Sequence, residues 1–177
     1  MSPETISSIE VGLSLGANVG DRLAQLQEAK KRILAAGGIF FAAQSPVYET
    51  EPVDVAPRDS ALFFLNAVLI IKFSLPLSGL LSTFKRIEFQ LGRAQRAAPN
   101  APRPIDIDII YAGGLHVRDK DVIIPHPRWA RRRFVVRPLS DVRPELVVPG
   151  QAGTVAEVLR SLADGHRVTL SLPANKW

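Results

Sequence analysis

The feature that most constrains the fold is a short alternating stretch, residues 103–110, with the sequence RPIDIDII. Successive side chains on a β-strand point to opposite faces, so this pattern predicts a strand. Asp106 and Asp108 then lie on one face, about 6–7 Å apart, and the isoleucines between them lie on the other. Two carboxylates so close on an apolar strand repel each other, and a cation between them would relieve the repulsion.

This pair of carboxylates suits a hard divalent cation. No His or Cys neighbours the pair in sequence, and oxygen ligands favour Mg²⁺ over zinc. Bound Mg²⁺ commonly joins one or two carboxylates to the phosphates of a substrate. The alternative interpretation is a strand whose polar face is solvated, and for an isolated Asp-x-Asp pattern this alternative is the commoner one.

Composition narrows the class of protein. At 177 residues we expect a single domain spanning 1–177, with residues 1–8 as a loosely ordered N-terminal tail. Cysteine is absent, which excludes disulfides, thiolate catalysis and Cys-ligated zinc. We find no secretory signal and no apolar run long enough to span a bilayer, so we expect a cytoplasmic protein. The net charge of +5 favours an anionic partner.

The hydrophobic pattern predicts an α+β protein whose first 112 residues follow the order βαββαβ. Strands are expected at 9–15, 39–50, 64–73 and around the two aspartates, and helices at 22–36 and 75–90. The first strand is interpreted as half-buried, and the second as broken or bulged near Ser45-Pro46. Asp21 and Ser74 are the expected helix N-caps. This order is that of the ferredoxin-like sandwich, in which two helices cover one face of a mainly antiparallel sheet.

Beyond residue 112 the pattern predicts additional C-terminal strands and helices, at 115–117, 122–124, 128–136, 154–163 and 167–172. Gly113-Gly114 predicts a tight hairpin turn. Pro138 is expected to break the first of these helices. The sequence TVAE from Thr154 is a capping box at the start of the second.

Three polar features accompany the aspartate strand. Glu88 leans toward the apolar side of its predicted helix, where an acid is usually a rim residue. Asn66 is surrounded by apolar residues and must be hydrogen-bonded, and we favour a backbone partner. Glycines in GANVGD near the N-terminus suggest either phosphate binding or structural turns, and we favour turns because neither GxxxxGK[ST] nor GxGxxG is present.

Taken together, several segments make the chain resemble the 6-hydroxymethyl-7,8-dihydropterin pyrophosphokinases, a family of folate-pathway enzymes. In order, these segments are SLGANVGDR, SPVYETEPV, FLNAV, RIEFQLGR, RPIDIDII and IPHPRWARRRFVVRPL. The match covers about residues 9–146. The resemblance implies transfer of the β,γ-diphosphate of ATP to the hydroxymethyl oxygen of the pterin, with release of AMP and use of two Mg²⁺ ions.

The resemblance also implies roles for individual residues. The metal-binding pair falls on Asp106 and Asp108, which with Arg93 and Arg103 form the implied catalytic set. The implied ATP-binding residues are Glu88, Arg93, Arg103, Ile109, His126 and Arg132. The implied pterin-binding residues are Thr50, Val53, Phe64, Asn66 and Phe134, of which the two phenylalanines would sandwich the ring.

Carboxylates that hold a metal and arginines that contact phosphates suit this reaction, because phosphoryl-type transfer depends mostly on alignment of the substrates and neutralisation of charge.

The chain departs from the family pattern at residues 100–103, which read Asn-Ala-Pro-Arg instead of Trp-Gly-Pro-Arg. An aromatic contact of the loop at 93–104 is therefore expected to be absent. A family member that binds its substrates but turns them over slowly is one alternative.

Two further alternatives remain. One is a nucleotide-binding regulator of the same topology. The other is an RNA-binding module, which would need exposed strand aromatics in a motif that this sequence lacks. We expect a monomer that acts on ATP and the pterin, can associate with a neighbouring folate-pathway enzyme, and has no nucleic-acid or membrane partner.

Overall fold

The structure is a computed structural model, and it describes residues 8–53, 55–74, 76–94, 101–120, 122–163 and 165–177. The predicted N-terminal tail, apart from residue 8, and residues 95–100 of the predicted loop lie outside this part of the chain. Its strands are β1 (Ile9–Ala17), β2 (Ile39–Gln44), β3 (Val47–Thr50), β4 (Phe64–Phe73), β5 (Asp106–Ala112), β6 (Val117–Arg118), β7 (Ile123–Ile124) and β8 (Val168–Leu172). Its α-helices are α1 (Arg22–Ala35), α2 (Leu77–Gln90), α3 (Arg133–Val142) and α4 (Val155–Ser161).

One sheet carries the predicted ferredoxin-like topology. Its strands run in the order β5-β1-β4-β3-β8, and β2 also pairs with β4. Each of these pairings is antiparallel. The predicted break at Ser45-Pro46 is confirmed, because β2 and β3 are separate strands that pair with successive parts of β4. The order βαββαβ to residue 112 is therefore confirmed, with β2 and β3 as the two halves of the predicted second strand.

Helices cover both faces of this sheet. One core packs α1 and α2 against apolar residues of β1 and β5, as the ferredoxin-like fold predicts. A second core packs α3 and α4 against the opposite face, through residues such as Val68, Ile70 and Ile110. The prediction that β1 is half-buried is therefore wrong. The Tyr111 ring of β5 packs on its second face at Gly12, and most of the strand is buried.

Helix boundaries follow local chemistry. Asp21 caps α1 as predicted, since its side chain accepts from the Ala24 N–H. The Ser74 cap is wrong: α2 begins at Leu77, after Pro76, which makes no side-chain cap. The backbone of Pro76 is extended, with ψ 139°, so the helix starts only after it. Leu75 lies outside the described residues.

Two C-terminal predictions are also wrong. Pro138 lies inside α3, whose apolar residues Val135, Val136 and Leu139 are buried, and this packing outweighs the hydrogen bond that proline lacks. Gly113 does turn the chain, with a left-handed φ of 51°. The predicted hairpin does not form, because the next strand, β6, pairs with β7 and not with β5.

The Thr154 capping box of α4 is confirmed. Within the described residues, no α-helix is both long and apolar enough to cross a membrane.

Candidate active site

Strand register brings the two aspartates and Asn66 to the same face. Asp106 is opposite Gly16 on β1, and Gly16 is opposite Asn66 on β4. Asp108 is opposite Ser14 in the next row of this face. Directly opposed residues of an antiparallel pair share a face. Asn66 is on the same face of β4 as the β4 residues of the second core, so these side chains lie on the side of the sheet that α3 covers.

Two pockets meet at the aspartates. The first, which we call the aromatic pocket, has a volume of about 500 Å³ including its mouth, and it is lined by Ser14, Gly16, Thr50, Glu51, Val53, Phe64, Asn66, Arg103, Asp106, Asp108, Arg132 and Phe134. The second, the histidine pocket, has about 1000 Å³ on the same measure, and its lining includes Lys85, Glu88, Arg93, Asp106, Asp108, Ile109, Asp119, Lys120 and His126. Asp106 and Asp108 therefore border both spaces.

The aromatic pocket contains a buried polar pair. Asn66 donates from Nδ2 to the Thr50 hydroxyl over 2.7 Å, and both residues are buried. The expectation of a backbone partner for Asn66 is wrong, because register places the β3 side chain of Thr50 within reach. Gly16 leaves room for the amide, since a Cβ at Gly16 would lie 2.8 Å from Asn66 Oδ1. The pocket thus combines an amide, a hydroxyl and the phenyl rings of Phe64 and Phe134.

A group of acids and arginines, which we call the site cluster, joins the pockets; its members are Glu88, Arg93, Arg103, Asp106 and Asp108. The Arg93 guanidinium donates to the carboxylates of both Glu88 and Asp106. Glu88 also accepts from the Ile107 N–H at 2.8 Å, which ties the end of α2 to β5. Arg103 Nε lies 3.2 Å from Asp106 Oδ2, yet it is buried and makes no hydrogen bond of good geometry. The donors of Arg103 are therefore incompletely used.

Burial dominates the electrostatics of this cluster. It raises the pKa of Glu88 to about 7, an effect that the neighbouring Arg93 only partly offsets. It also raises the pKa of Asp108, and the negative charge of Asp106 adds to that shift. A buried carboxylate with a raised pKa is one whose ionised form lacks enough positive charge nearby.

The donor set fits Mg²⁺. Asp106 and Asp108 offer only oxygen atoms, and no group of three His, Cys, Asp or Glu residues suited to a metal occurs among the described residues. Mg²⁺ commonly takes one or two carboxylates and keeps its other positions for water and substrate phosphates. Two aspartates that open onto both pockets provide this arrangement.

His126 is held as a neutral donor. Burial, together with the charges of Arg132 and Arg128, lowers the pKa of His126 to about 4. Its Nδ1 accepts from the Arg128 N–H at 3.1 Å, so the proton of the neutral ring is on Nε2. The ring therefore has one N–H available for an acceptor in the histidine pocket.

The structure brings the predicted site residues together. All five predicted pterin-binding residues line the aromatic pocket. Of the predicted ATP-binding residues, Glu88, Arg93, Ile109 and His126 line the histidine pocket. Arg103 and Arg132 line the aromatic pocket instead. Arg132 also lines a smaller space with His126 and Asp108, and its guanidinium carbon lies 5.4 Å from the centre of the Phe134 ring.

Sequence reasoning missed several pocket residues. Ser14, Gly16 and Glu51 line the aromatic pocket. Register could have found Ser14 and Gly16, since β1 is the neighbour of the aspartate strand in the predicted topology. Lys85, Asp119 and Lys120 line the histidine pocket, and no pattern in the sequence marks them.

Comparison with known proteins identifies the family. Residues 12–144 match the sequence profile of the 7,8-dihydro-6-hydroxymethylpterin-pyrophosphokinase (HPPK) family. The chain belongs to this family. Its reaction is pyrophosphoryl transfer from ATP to hydroxymethyldihydropterin in folate biosynthesis, which makes it a diphosphotransferase.

Curated relatives agree with the HPPK assignment. The chain is 39% identical over 150 residues to a 2-amino-4-hydroxy-6-hydroxymethyldihydropteridine pyrophosphokinase of Methylorubrum extorquens, over 85% of this chain and 91% of the relative. It is 35% identical to the enzyme of the same name in Bacillus subtilis, over 73% of this chain and 75% of the relative. A folate synthesis bifunctional protein of Arabidopsis thaliana is 38% identical over 80% of this chain, which spans only 28% of that relative.

A solved structure shows the same fold. The wild-type HPPK-DHPS of Plasmodium falciparum, crystallised with pterin and p-hydroxybenzoate, matches with a TM-score of 0.66 at 16% identity. The match covers 89% of this chain and 43% of the solved one. This chain therefore spans less than half of the length of that solved chain.

Proposed function

We propose that this chain carries out the transfer where its two pockets meet, with the pterin in the aromatic pocket and ATP entering through the histidine pocket. The observation that carries the proposal is that Asp106 and Asp108 border both pockets. Groups bound on the two sides would then meet beside the same pair of carboxylates. Alignment of this kind is a large part of what a phosphoryl-transfer enzyme provides.

The aromatic pocket suits a flat heterocycle with a polar edge. Phe64 and Phe134 offer aromatic faces for the ring. The Asn66 amide already donates to Thr50, which fixes its orientation and leaves Oδ1 to accept an N–H of the pterin. Val53 completes the apolar lining.

The histidine pocket and the site cluster suit a triphosphate. Arg93 and Arg103 present guanidinium groups that can move from carboxylate to phosphate oxygens, with which they form charge-assisted hydrogen bonds. Neutral His126 can donate from Nε2 to a further oxygen, and Arg132 adds positive charge beside it. Ile109 and Glu88 complete this side, with Glu88 holding Arg93 in place.

Asp106 and Asp108 would hold Mg²⁺, which when bound neutralises charge on the non-bridging oxygens of the transferring group. In the reaction the hydroxymethyl oxygen of the pterin bonds to the β-phosphorus, and the bond from that phosphorus to the α,β-bridging oxygen breaks. The diphosphate moves to the pterin, AMP leaves with the bridging oxygen, and the hydroxyl proton of the pterin passes to water. Arg93 and Arg103 keep the attacking and leaving oxygens in line.

The nucleotide product tests the proposal. We expect the protein, mixed with Mg-ATP and 6-hydroxymethyl-7,8-dihydropterin, to form AMP and the dihydropterin diphosphate in equal amounts, as followed by chromatography. Formation of ADP would contradict the proposed bond cleavage. Binding of ATP with no nucleotide product would favour a regulator of the same topology.

We extend the proposal to four further properties of the protein. It would use two Mg²⁺ ions, as counted by metal titration in the presence of an ATP analogue. It would be monomeric by light scattering, and it would be cytoplasmic, in keeping with its lack of cysteine. Association with a neighbouring folate-pathway enzyme is supported by the bifunctional relative from Arabidopsis thaliana.

A further inference from the structure

The turn after β1 contacts the segment that leads into β5. Asn18 is buried, with 4% of its surface exposed. Its N–H donates to the Arg103 carbonyl at 3.3 Å, and its Oδ1 accepts from the Arg103 N–H at 2.8 Å. Asn18 thus engages both backbone polar groups of Arg103, a residue 85 positions away in the chain.

We propose that Asn18 is a positioning residue for the pyrophosphoryl transfer, and that it acts by fixing the backbone of Arg103. The inference rests on the proposed role of Arg103 in that reaction. The Arg103 guanidinium lies beside Asp106, and both residues line the aromatic pocket. Its location follows from that of its Cα, and Asn18 holds the peptide groups on both sides of that atom.

The side-chain amide of Asn18 supports a role beyond stability. Its Nδ2 is buried and makes no hydrogen bond in the structure. An unsatisfied buried donor costs free energy, so asparagine is not the choice that would maximise the stability of this turn. Its side-chain oxygen accepts from the Arg103 N–H, and the backbone N–H of Asn18 donates to the Arg103 carbonyl.

The turn after β1, which has no part in the proposed function, gains a role through Asn18. The sequence GANVGD suggested either a phosphate site or turn glycines, and Gly20 does adopt a left-handed φ of 68°. Asn18 does not line the aromatic or the histidine pocket; it borders a separate space with Gly20 and Arg22. The turn therefore acts through Arg103 and not by touching substrate.

Asn18→Ala tests the proposal against Asp21→Ala as a matched control. Asp21 lies in the same turn, and its side chain caps α1 at 3.0 Å without contacting Arg103. We expect Asn18→Ala to lower kcat about 10- to 100-fold, because small displacements of an aligned group are costly. We expect its KM for the pterin to change less than about twofold. Asp21→Ala should keep wild-type kcat at a comparable loss of Tm. Equal kcat in the two variants would overturn the proposal.

A double-mutant cycle separates this proposal from the role of Arg103 itself. If Asn18 acts through Arg103, Asn18→Ala should slow an Arg103→Ala enzyme by less than about twofold. A full second loss of kcat would overturn the Asn18 proposal while leaving the role of Arg103 intact. Wild-type kcat in Arg103→Ala alone would instead contradict the proposed function.

Asn18→Asp provides a second variant, which decides the matter if Asn18→Ala does not fold. It keeps an oxygen that can accept from the Arg103 N–H and replaces the unpartnered Nδ2. We expect its kcat to stay within about threefold of the wild type. A tenfold or greater loss of kcat in folded Asn18→Asp would overturn the proposal.

Discussion

Two groups of acids and arginines on the same sheet differ in what they do. The site cluster lies where the two pockets meet. The second group, which we call the clamp cluster, consists of Glu10 at the start of β1, Tyr111 near the end of β5, and Arg143 just after α3. Arg143 donates to Glu10 from Nε at 3.0 Å and from its terminal nitrogen at 2.7 Å, and the Tyr111 hydroxyl donates to the same carboxylate at 2.7 Å.

The acids of the two clusters have pKa values shifted in opposite directions. The hydrogen bond from Arg143 lowers the pKa of Glu10, although partial burial opposes the shift. Burial raises the pKa of Glu88 and of Asp108. The clamp cluster balances one carboxylate with one guanidinium and a hydroxyl, whereas the site cluster buries its carboxylates beside each other.

This difference separates a structural ion pair from a binding site. None of Glu10, Tyr111 and Arg143 lines the aromatic or the histidine pocket. Tyr111 also packs closely on Gly12, where a Cβ would lie 2.2 Å from its ring. Carboxylates beside a pocket whose negative charge is not fully balanced by neighbouring arginines are the ones expected to bind a cation. Composition does not distinguish the two clusters, but exposure to a pocket and charge balance do.

The largest expected effect is that of Asp108→Asn. The change removes a carboxylate of the proposed Mg²⁺ pair, so we expect turnover to fall by about 10³-fold or more. Because it also removes a buried charge beside Asp106, the free energy of unfolding should not decrease. AMP formation and urea unfolding measure the two quantities. Near-normal turnover would contradict the metal role of Asp108.

Arg93→Lys should have the next largest effect. An ammonium group cannot reproduce the planar guanidinium that contacts Glu88 and Asp106, so we expect kcat to fall about 10- to 100-fold. Arg143→Lys is the matched control, since it makes the same change in the clamp cluster. It should reduce stability by about 1 kcal/mol and keep wild-type kcat. Similar kcat values for the two variants would remove the distinction between the clusters.

Glu10→Gln should have the smallest effect, on stability alone. It weakens a partly exposed charged contact, so we expect a loss of about 1–2 kcal/mol at pH 7 with unchanged kcat. The folded-state pKa of Glu10 is below its unfolded value, so this contribution is present above about pH 4.5 and is lost as the pH falls through the folded pKa. Urea unfolding of both proteins at pH 7 and pH 3 should show the difference shrink. A constant difference would contradict the lowered pKa.

Local patterns predicted much of the fold and the chemical character of the site. The period of two placed Asp106 and Asp108 on one face, and the β1–β4–β5 topology followed from the order of the elements. The cover on the second face of β1 was not predictable from β1 itself, because it comes from distant residues such as Tyr111. Pro138 was misjudged because tertiary packing outweighs a local helix-breaking preference.

Contacts between distant residues were the part that sequence could not supply. Glu10 and Arg143 are 133 positions apart, and Asn18 and Arg103 are 85 apart. No local pattern marks such a pair in a single sequence. Asn66 was recognised as a buried amide that needs a partner, but its bond to Thr50 depends on strand register. Individual residue types were informative, whereas their partners required the structure.

The central claim is that Asp106 and Asp108 jointly hold the metal between the two substrates. The most direct measurement is a crystal structure of the complex with Mn²⁺, α,β-methylene-ATP and 6-hydroxymethylpterin, with the metal located by anomalous scattering. We predict Mn²⁺ bound to both carboxylates, phosphates next to His126, and the pterin between Phe64 and Phe134. A metal bound to neither aspartate, or a nucleotide base between the two phenylalanines, would contradict the account.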